Sequence, residues 1–350
     1  MAARPLSCSI VFIPERPVPS ARLLEHLRLR HGLEWAGAPV DLGGSSSLNL
    51  RLRDIRSDVV VRVHRAWLKP ARLTSVQAVR SALREVGLPF AETIPALDGS
   101  LWTALGEQLV EVERYVEGEE MNSWSRLRTG VRMLGRVHDA LADIPANPAA
   151  RTSPTANQID ADEALPLARR AASVIRSWAR TGDEWTAAGK TETLAEELET
   201  AWLPVRGLVP RQLVHGDFWD NNVLFDGTSI VLILDLDFMG ERDRIDDIAL
   251  ILYYVNSGST LPRHASPGER QRRLRELLDA YDSGISAHLT AAERAAIPVA
   301  LARIVLGYTR HLLQRAPELD QREVLAAWSV DLDWSLEIVR DLGRWQEAFA

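Results

Sequence analysis

Cysteine is nearly missing from this chain: Cys8 is the single one among 350 residues. A disulfide scaffold and a cysteine-rich metal site are thereby excluded, and a reducing compartment is expected. Lysine is almost as scarce, with Lys69 and Lys190 alone, so positive charge rests on arginine. No apolar run reads as approaching the roughly 20 residues that cross a bilayer. Met1 to Ile13 lack the sustained apolar stretch of a secretory signal. These absences predict a cytoplasmic protein with no membrane segment. Internal repeats and low-complexity tracts are missing too.

The formal charge of −7 is unevenly spread. Residues 1–115 hold 15 Lys+Arg against 12 Asp+Glu and the rest hold 26 against 36, giving +3 and −10. There is no basic stripe of the kind that phosphate backbones require, so nucleic acid is not an expected partner. A basic part suits an anionic ligand, and an acidic part a neutral or cationic one. At 350 residues the chain exceeds a usual single domain, and two lobes are expected.

Leucines at 23, 24, 27 and 29 behind Ser20 predict a helix over 18–31. Strand-like runs follow at 40–42, 48–52 and 59–64, then a helix at 73–86 and a second strand pair at 91–97 and 108–116. An Asp98-Gly99 turn and a short strand at Leu101-Trp102 lie between that pair. From Ser123 onward the pattern is helical, at 131–138, 162–179, 191–202 and several places after 247, with a loop over 144–160. The fold class expected is α+β: an antiparallel sheet with one helix in residues 1–116, and a mainly helical lobe in 117–350.

One strand signal stands out in that second part. Val223 to Phe225 and Ile230 to Leu234 flank Asp226-Gly227-Thr228-Ser229, a strong hairpin pattern. Folding there brings Asn222 and Asp235 together at the open end, with Asp217 just upstream. An amide and a carboxylate are oxygen ligands of the kind Mg²⁺ takes, and Asp217 is then placed to accept the proton of an attacking hydroxyl.

His215-Gly216-Asp217-x4-Asn222, Asp235-x-Asp237-Phe238 and Asp247-Ile248-Ala249 together resemble the aminoglycoside phosphotransferase, choline kinase and homoserine kinase superfamily. Residues 277–281 and 289–294 are most similar to its homoserine-kinase-type members. The resemblance spans most of the chain. It implies a bilobal protein-kinase-like fold that moves the γ-phosphate of ATP, sometimes GTP, to a hydroxyl with the help of Mg²⁺. By the same resemblance Asp217 is the catalytic aspartate, and Asn222 and Asp235 are metal ligands. Gly43, Gly44, Ser45, Ser46 and Ser47 stand at the nucleotide loop, and the segment 112–118, with Glu113 and Tyr115, resembles the hinge beside the nucleotide. Implied acceptors are a small metabolite or antibiotic: an amino alcohol, sugar, nucleoside or aminoglycoside. A Ser/Thr peptide kinase and a nucleotide-binding pseudokinase are the other readings.

Alternation along 59–64 places Arg62 where that family usually has lysine. The following helix offers no central glutamate to pair with it; Gln77 lies near that place. Arginine stays cationic and grips two oxygens through its planar fork. His215 reads as a neutral brace of its loop. Asp237 competes with Asp235 for the metal, because alternate residues of an extended strand point the same way, or acts behind it. Asp247 reads as the cap of the next helix, outside the chemistry. Trp219 is expected to pack under the loop or border the acceptor, and Trp328 and Trp334 to pack between helices.

Overall fold

The computed structural model describes residues 17–44, 47–66, 68–145, 147–153, 158–257, 266–314 and 318–350. Helix α1 (Ala21–His31) starts at Ser20, whose hydroxyl accepts the Leu23 N–H, and ends at Gly32 with φ 62°. Strands β1 (Trp35–Asp41), β2 (Leu48–Asp54) and β3 (Asp58–Val63) follow, then helix α2 (Pro70–Glu85) and strands β4 (Thr103–Leu105) and β5 (Gln108–Arg114). They form one antiparallel sheet in the order β1-β2-β3-β5-β4.

Alternation gives this sheet two faces of different character. Leu48, Leu50, Leu52, Val59, Val61, Val63, Val110 and Val112 pack with Leu23, Leu27 and Leu33 as an apolar core. Arg62, His64, Glu111 and Glu113 turn to the opposite face, and all four are buried there.

Two strand expectations shift. Residues 91–97 are not a strand but an irregular segment with single backbone bonds, such as Ile94 N–H to the Val112 carbonyl at 2.7 Å. Pro95 interrupts it and has no N–H to give a ladder. The short strand expected at 101–102 begins at Thr103 instead.

The remaining chain is mainly helical: α3 (Trp124–Asp143), α4 (Pro148–Arg151), α5 (Ala161–Trp178), α6 (Gly182–Trp202), α7 (Ile245–Ser257), α8 (Pro267–Asp282), α9 (Ala291–Arg303), α10 (Gly307–Gln314), α11 (Glu318–Arg340) and α12 (Leu342–Phe349). Helix α6 starts nine residues before the expected 191, because Thr181 and Glu184 close a capping box. Within the expected loop, α4 forms behind an Asn147 cap. Strands β6 (Glu119–Glu120), β8 (Val223–Asp226) and β9 (Ser229–Ile233) make one small sheet, and β7 (Arg211–Val214) with β10 (Gly240–Asp243) a separate ribbon. Four-residue strands carry too little alternation to be read in advance, which is why that ribbon was not anticipated.

The larger core reaches back across the end of the first sheet. Val76, Val79 and Leu83 of α2, with Leu88 and Phe90, pack into the same cluster as α3 and α7. The expected division at 116 therefore marks where the sheet ends and is not a gap in packing. Contrary to the sequence expectation, Ala291–Gln314 forms a helical stretch long and apolar enough to span a bilayer, with mean hydropathy 1.2. Most of it is buried inside the protein, as the core helix of a globular protein is.

Helices α3 and α8 approach through glycine. A Cβ at Gly135 would lie 2.7 Å from the Tyr281 carbonyl oxygen and 2.8 Å from the Ile285 nitrogen, both backbone atoms. Gly135→Ala is expected to cost about 1–3 kcal/mol, read as a lower denaturant midpoint. An unchanged midpoint would mean that the helices separate at no cost.

Candidate active site

The hairpin forms as the turn residues demand. Asp226 pairs with Ser229 across a two-residue turn, and Gly227 there has φ 57°. At the open end Val223 pairs with Ile233, and the Leu234 N–H donates to the Asn222 carbonyl at 2.8 Å. Asn222 thus lies across the ribbon from Leu234, and Asp235 is the next residue along. The Asn222 Nδ2 donates to the Asp217 carbonyl at 2.8 Å and to its carboxylate at 3.0 Å. With the nitrogen committed, the amide oxygen is left for a ligand. Asp217, Asn222 and Asp235 are therefore gathered at one place.

Asp235 is the only non-glycine residue with positive φ, 63°, among the described residues. This overturns the premise that 235 and 237 lie along one extended strand: β9 stops at Ile233 and the chain turns. The two carboxylates are then distinguished by their surroundings. Asp235 keeps 28% of its side chain exposed, whereas Asp237 is buried against Arg62 at 3.4 Å and His64 at 3.7 Å. Burial alone would raise the Asp237 pKa, but Arg62 and then His64 hold it below the usual carboxylate range. Burial and then the Asp237 charge push Asp235 upward. A divalent cation at Asp235 would offset both effects. Among the described residues no group of three His, Cys, Asp or Glu side chains forms a ready metal cage. An open site of amide oxygen and carboxylate, completed by phosphate oxygens, suits Mg²⁺.

The catalytic loop hangs on Asp247. Its carboxylate accepts the His215 N–H at 2.7 Å and the Gly216 N–H at 2.9 Å, and is itself held by His138 at 3.1 Å and Gln158 at 3.3 Å. Asp247 lies within the first turn of α7 and reaches out of it, so the expected helix cap is replaced by a loop anchor. Gly216 has φ 82°, and a Cβ there would sit 2.2 Å from the Phe238 carbonyl oxygen; only glycine permits this crossing. His215 is buried, its Nε2 donating to the Leu234 carbonyl at 2.9 Å while Nδ1 accepts the Asp217 N–H at 3.3 Å. That assignment uses both nitrogens of a neutral ring, and burial holds the pKa down at about 4. His215 thus ties the Asp217 backbone to the far strand of the hairpin.

Arg62 lies over the same end, 3.5 Å from Asp235 and 3.9 Å from Glu113. Burial opposes its charge, but Asp237, Asp235 and Glu113 more than offset this. A glutamate does lie near Arg62, on strand β5 and not on the helix. The Glu113 carboxylate is engaged by Arg80 of α2 inside the sheet–helix interface. Tyr115 stacks on Arg51, whose guanidinium carbon is 3.9 Å from the ring centroid. Gly43 and Gly44 have φ 87° and 112°, and the Asn49 amide donates to the Gly43 carbonyl at 3.0 Å. Ser47 is buried beside them; Ser45 and Ser46 lie outside the described residues. Trp219 and Tyr254 are half-buried with ring centroids 5.0 Å apart, next to the catalytic loop.

Sequence reasoning missed three groups. His64 sits two residues beyond Arg62, on the same face, and period-two alternation contains that signal. Arg80 lies three residues after Gln77 on α2, a helical spacing equally legible. Arg72 gave no signal. Its buried guanidinium donates to the carbonyls of Ala149 at 2.9 Å, Ala150 at 2.8 Å and Asp237 at 3.0 Å, and to that of Met239.

The neutral His215 makes an acid-stability prediction. Its folded pKa of about 4 lies below the ordinary 6.5, so the unfolded chain binds the proton first as pH falls. Its contribution is complete above pH 6.5 and is lost on the way down to 4, by about 3 kcal/mol. In urea titrations His215→Gln should show a flatter decline than the wild type over that window; parallel declines would rule the effect out. Asp247→Ala should cost about 3–5 kcal/mol by stranding the buried N–H groups and His138, measured in the same titrations.

Comparison with known proteins places this geometry in a family. A search of curated protein sequences finds no match. Among solved structures, amicoumacin kinase hAmiN in complex with AMP-PNP, Ca²⁺ and Ami superimposes with a TM-score of 0.68 at 16% identity, covering 90% of this chain and 93% of that one. A microcompartment-associated aminopropanol kinase gives 0.72 at 16% identity, with 93% and 99% covered. A choline/ethanolamine kinase family protein from Mesorhizobium loti gives 0.58 at 18%, with 90% and 93% covered. Identities this low establish the shared kinase-like fold. The model of a phosphotransferase enzyme family, APH, matches residues 38–284, which hold the sheet, the 215–217 turn and the hairpin, and the chain belongs to that family.

Proposed function

We propose that this protein transfers the γ-phosphate of ATP to a hydroxyl of a small molecule. The observation that carries the reading is the gathering of Asp217, Asn222 and Asp235 at the open end of one hairpin, with Asn222 bonded to Asp217. The Asp217 carboxylate, fixed by that amide, accepts or orients the proton of the acceptor hydroxyl. The Asn222 oxygen and the Asp235 carboxylate would hold a divalent ion, which would supply charge neutralisation at the nucleotide phosphates. Arg62 adds a fixed positive charge at the same end, and the backbone of Gly43 and Gly44 approaches the phosphates from β1 and β2.

The acceptor side is built by the helical part. Trp219, two residues after Asp217, packs its ring against Tyr254, and residues 116–350 carry the net charge of −10. Aromatic faces in an acidic setting favour an acceptor with a cationic group, such as an amino alcohol or an amino sugar. The ligands bound in similar structures, AMP-PNP with Ca²⁺ in one and ADP in another, support nucleotide and divalent-metal use.

Asp217→Asn is expected to lower turnover by roughly 10²- to 10⁴-fold with the melting temperature unchanged. The assay is mass-spectrometric detection of phosphorylated product over amino alcohols, aminoglycosides, nucleosides and Ser/Thr peptides, with Mg²⁺ and ATP or GTP. Chelation with EDTA should abolish product formation. Wild-type turnover by Asp217→Asn, or activity persisting in EDTA, would overturn the mechanism, and turnover of peptides alone would overturn the acceptor class.

A further inference from the structure

Behind Arg62 lies a buried cluster that the transfer chemistry does not itself use. Arg80 of α2 donates through Nη1 to Glu113 Oε1 and through Nη2 to Glu111 Oε2 at 2.7 Å. Gln77 donates to the same Glu111 oxygen at 2.8 Å, and His64 Nε2 meets Oε1 at 3.1 Å. Arg62 Nη1 stands 3.9 Å from Glu113 Oε1, the very oxygen that Arg80 holds, while its Nη2 is 3.4 Å from Asp237 and 3.5 Å from Asp235. Two arginines thus face one carboxylate oxygen, and Arg80 has it. All of Arg62, Arg80, Glu111 and Glu113 are under 8% exposed, so water does not screen the contest.

We infer that Arg80 is a positioning residue for the nucleotide site: by occupying Glu113 it keeps Arg62 from being drawn into the sheet and leaves that guanidinium facing the phosphate end of the hairpin. The inference rests on the proposed role of Arg62 as the phosphate-binding cation. Without Arg80, Glu113 is a buried carboxylate short of a counter-charge, and a shift of about 1 Å brings Arg62 Nη1 to hydrogen-bond distance. Nucleotide then has to break that ion pair before it claims the guanidinium, and apparent affinity falls with the fraction of Arg62 left facing the site. The arrangement reverses the usual direction of help: the helix contributes a cation that satisfies the strand carboxylates, and the strand cation is released toward the ligand.

The test is binding of MgADP by isothermal titration calorimetry, with unfolding midpoints measured alongside. Arg80→Met is expected to weaken binding roughly tenfold or more, and Arg80→Lys, which keeps the charge, to weaken it less. Glu113→Gln, nearly isosteric, should bind MgADP as well as the wild type or better, and the double variant Arg80→Met with Glu113→Gln should recover most of the lost affinity. Weaker binding by Glu113→Gln alone would show that Glu113 holds Arg62 in its working place, and the inference would fall. It falls equally if Arg80→Met binds like the wild type or if the double variant does not recover. Arg62→Met separates this from the underlying reading: if it binds MgADP normally, the role of Arg62 fails, whereas weak binding by Arg62→Met with normal binding by Arg80→Met removes only the part given to Arg80.

Discussion

The catalytic segment depends on one carboxylate. Asp247, in the first turn of α7, takes two successive backbone N–H groups from residues 215 and 216, and from them the chain is aimed at the hairpin. Because that carboxylate is fully buried, its charge needs partners, and His138 and Gln158 supply them from α3 and the start of α5's approach. Tyr281 of α8 in turn meets the other nitrogen of His138 at 2.7 Å. Three helices and a loop therefore share responsibility for where Asp217 sits. His215 then fastens the Asp217 amide to the Leu234 carbonyl at the end of the hairpin, so Asp217 and the open end of the hairpin are set by one continuous set of hydrogen bonds.

Much of this was legible in the residues. The hairpin turn follows from turn chemistry and spacing, and Asp226 pairs with Ser229 across it. The antiparallel sheet followed by helices was equally open to reading, because strands β2, β3 and β5 carry apolar alternation over six or seven residues each. What could not be read depends on contacts between distant segments. Asp247 looks like a helix cap from its neighbours alone, and only the folded chain brings residues 215 and 216 to it. The difference between Asp235 and Asp237 arises from a single left-handed residue, which no alternation pattern announces. The side chain of Glu113 meets Arg80 of α2, a contact between segments that the strand pattern alone does not show.

The scarcity of lysine in the sequence has a structural counterpart. Arginine occupies the strand position facing the phosphate end, and a second arginine occupies the helix position behind it, with two glutamates between. A buried guanidinium keeps its charge under conditions where a buried ammonium sheds it. Its several N–H groups also let Arg80 serve Glu111, Glu113 and Thr93 together. Such a network is costly to desolvate and tolerates few partial substitutions, which makes it a constraint on sequence as much as a source of stability.

Arg72 bears on how such a molecule is able to move. Its guanidinium, at the first turn of α2, grips the carbonyls of Asp237 and Met239 on one side and those of Ala149 and Ala150 on the other. Swinging α2 away would strand a buried cation and four carbonyl oxygens, at a penalty of several kcal/mol. The foot of α2 is thereby tied by one guanidinium to the turn after Asp235 and to the short helix α4, two segments far apart in the sequence.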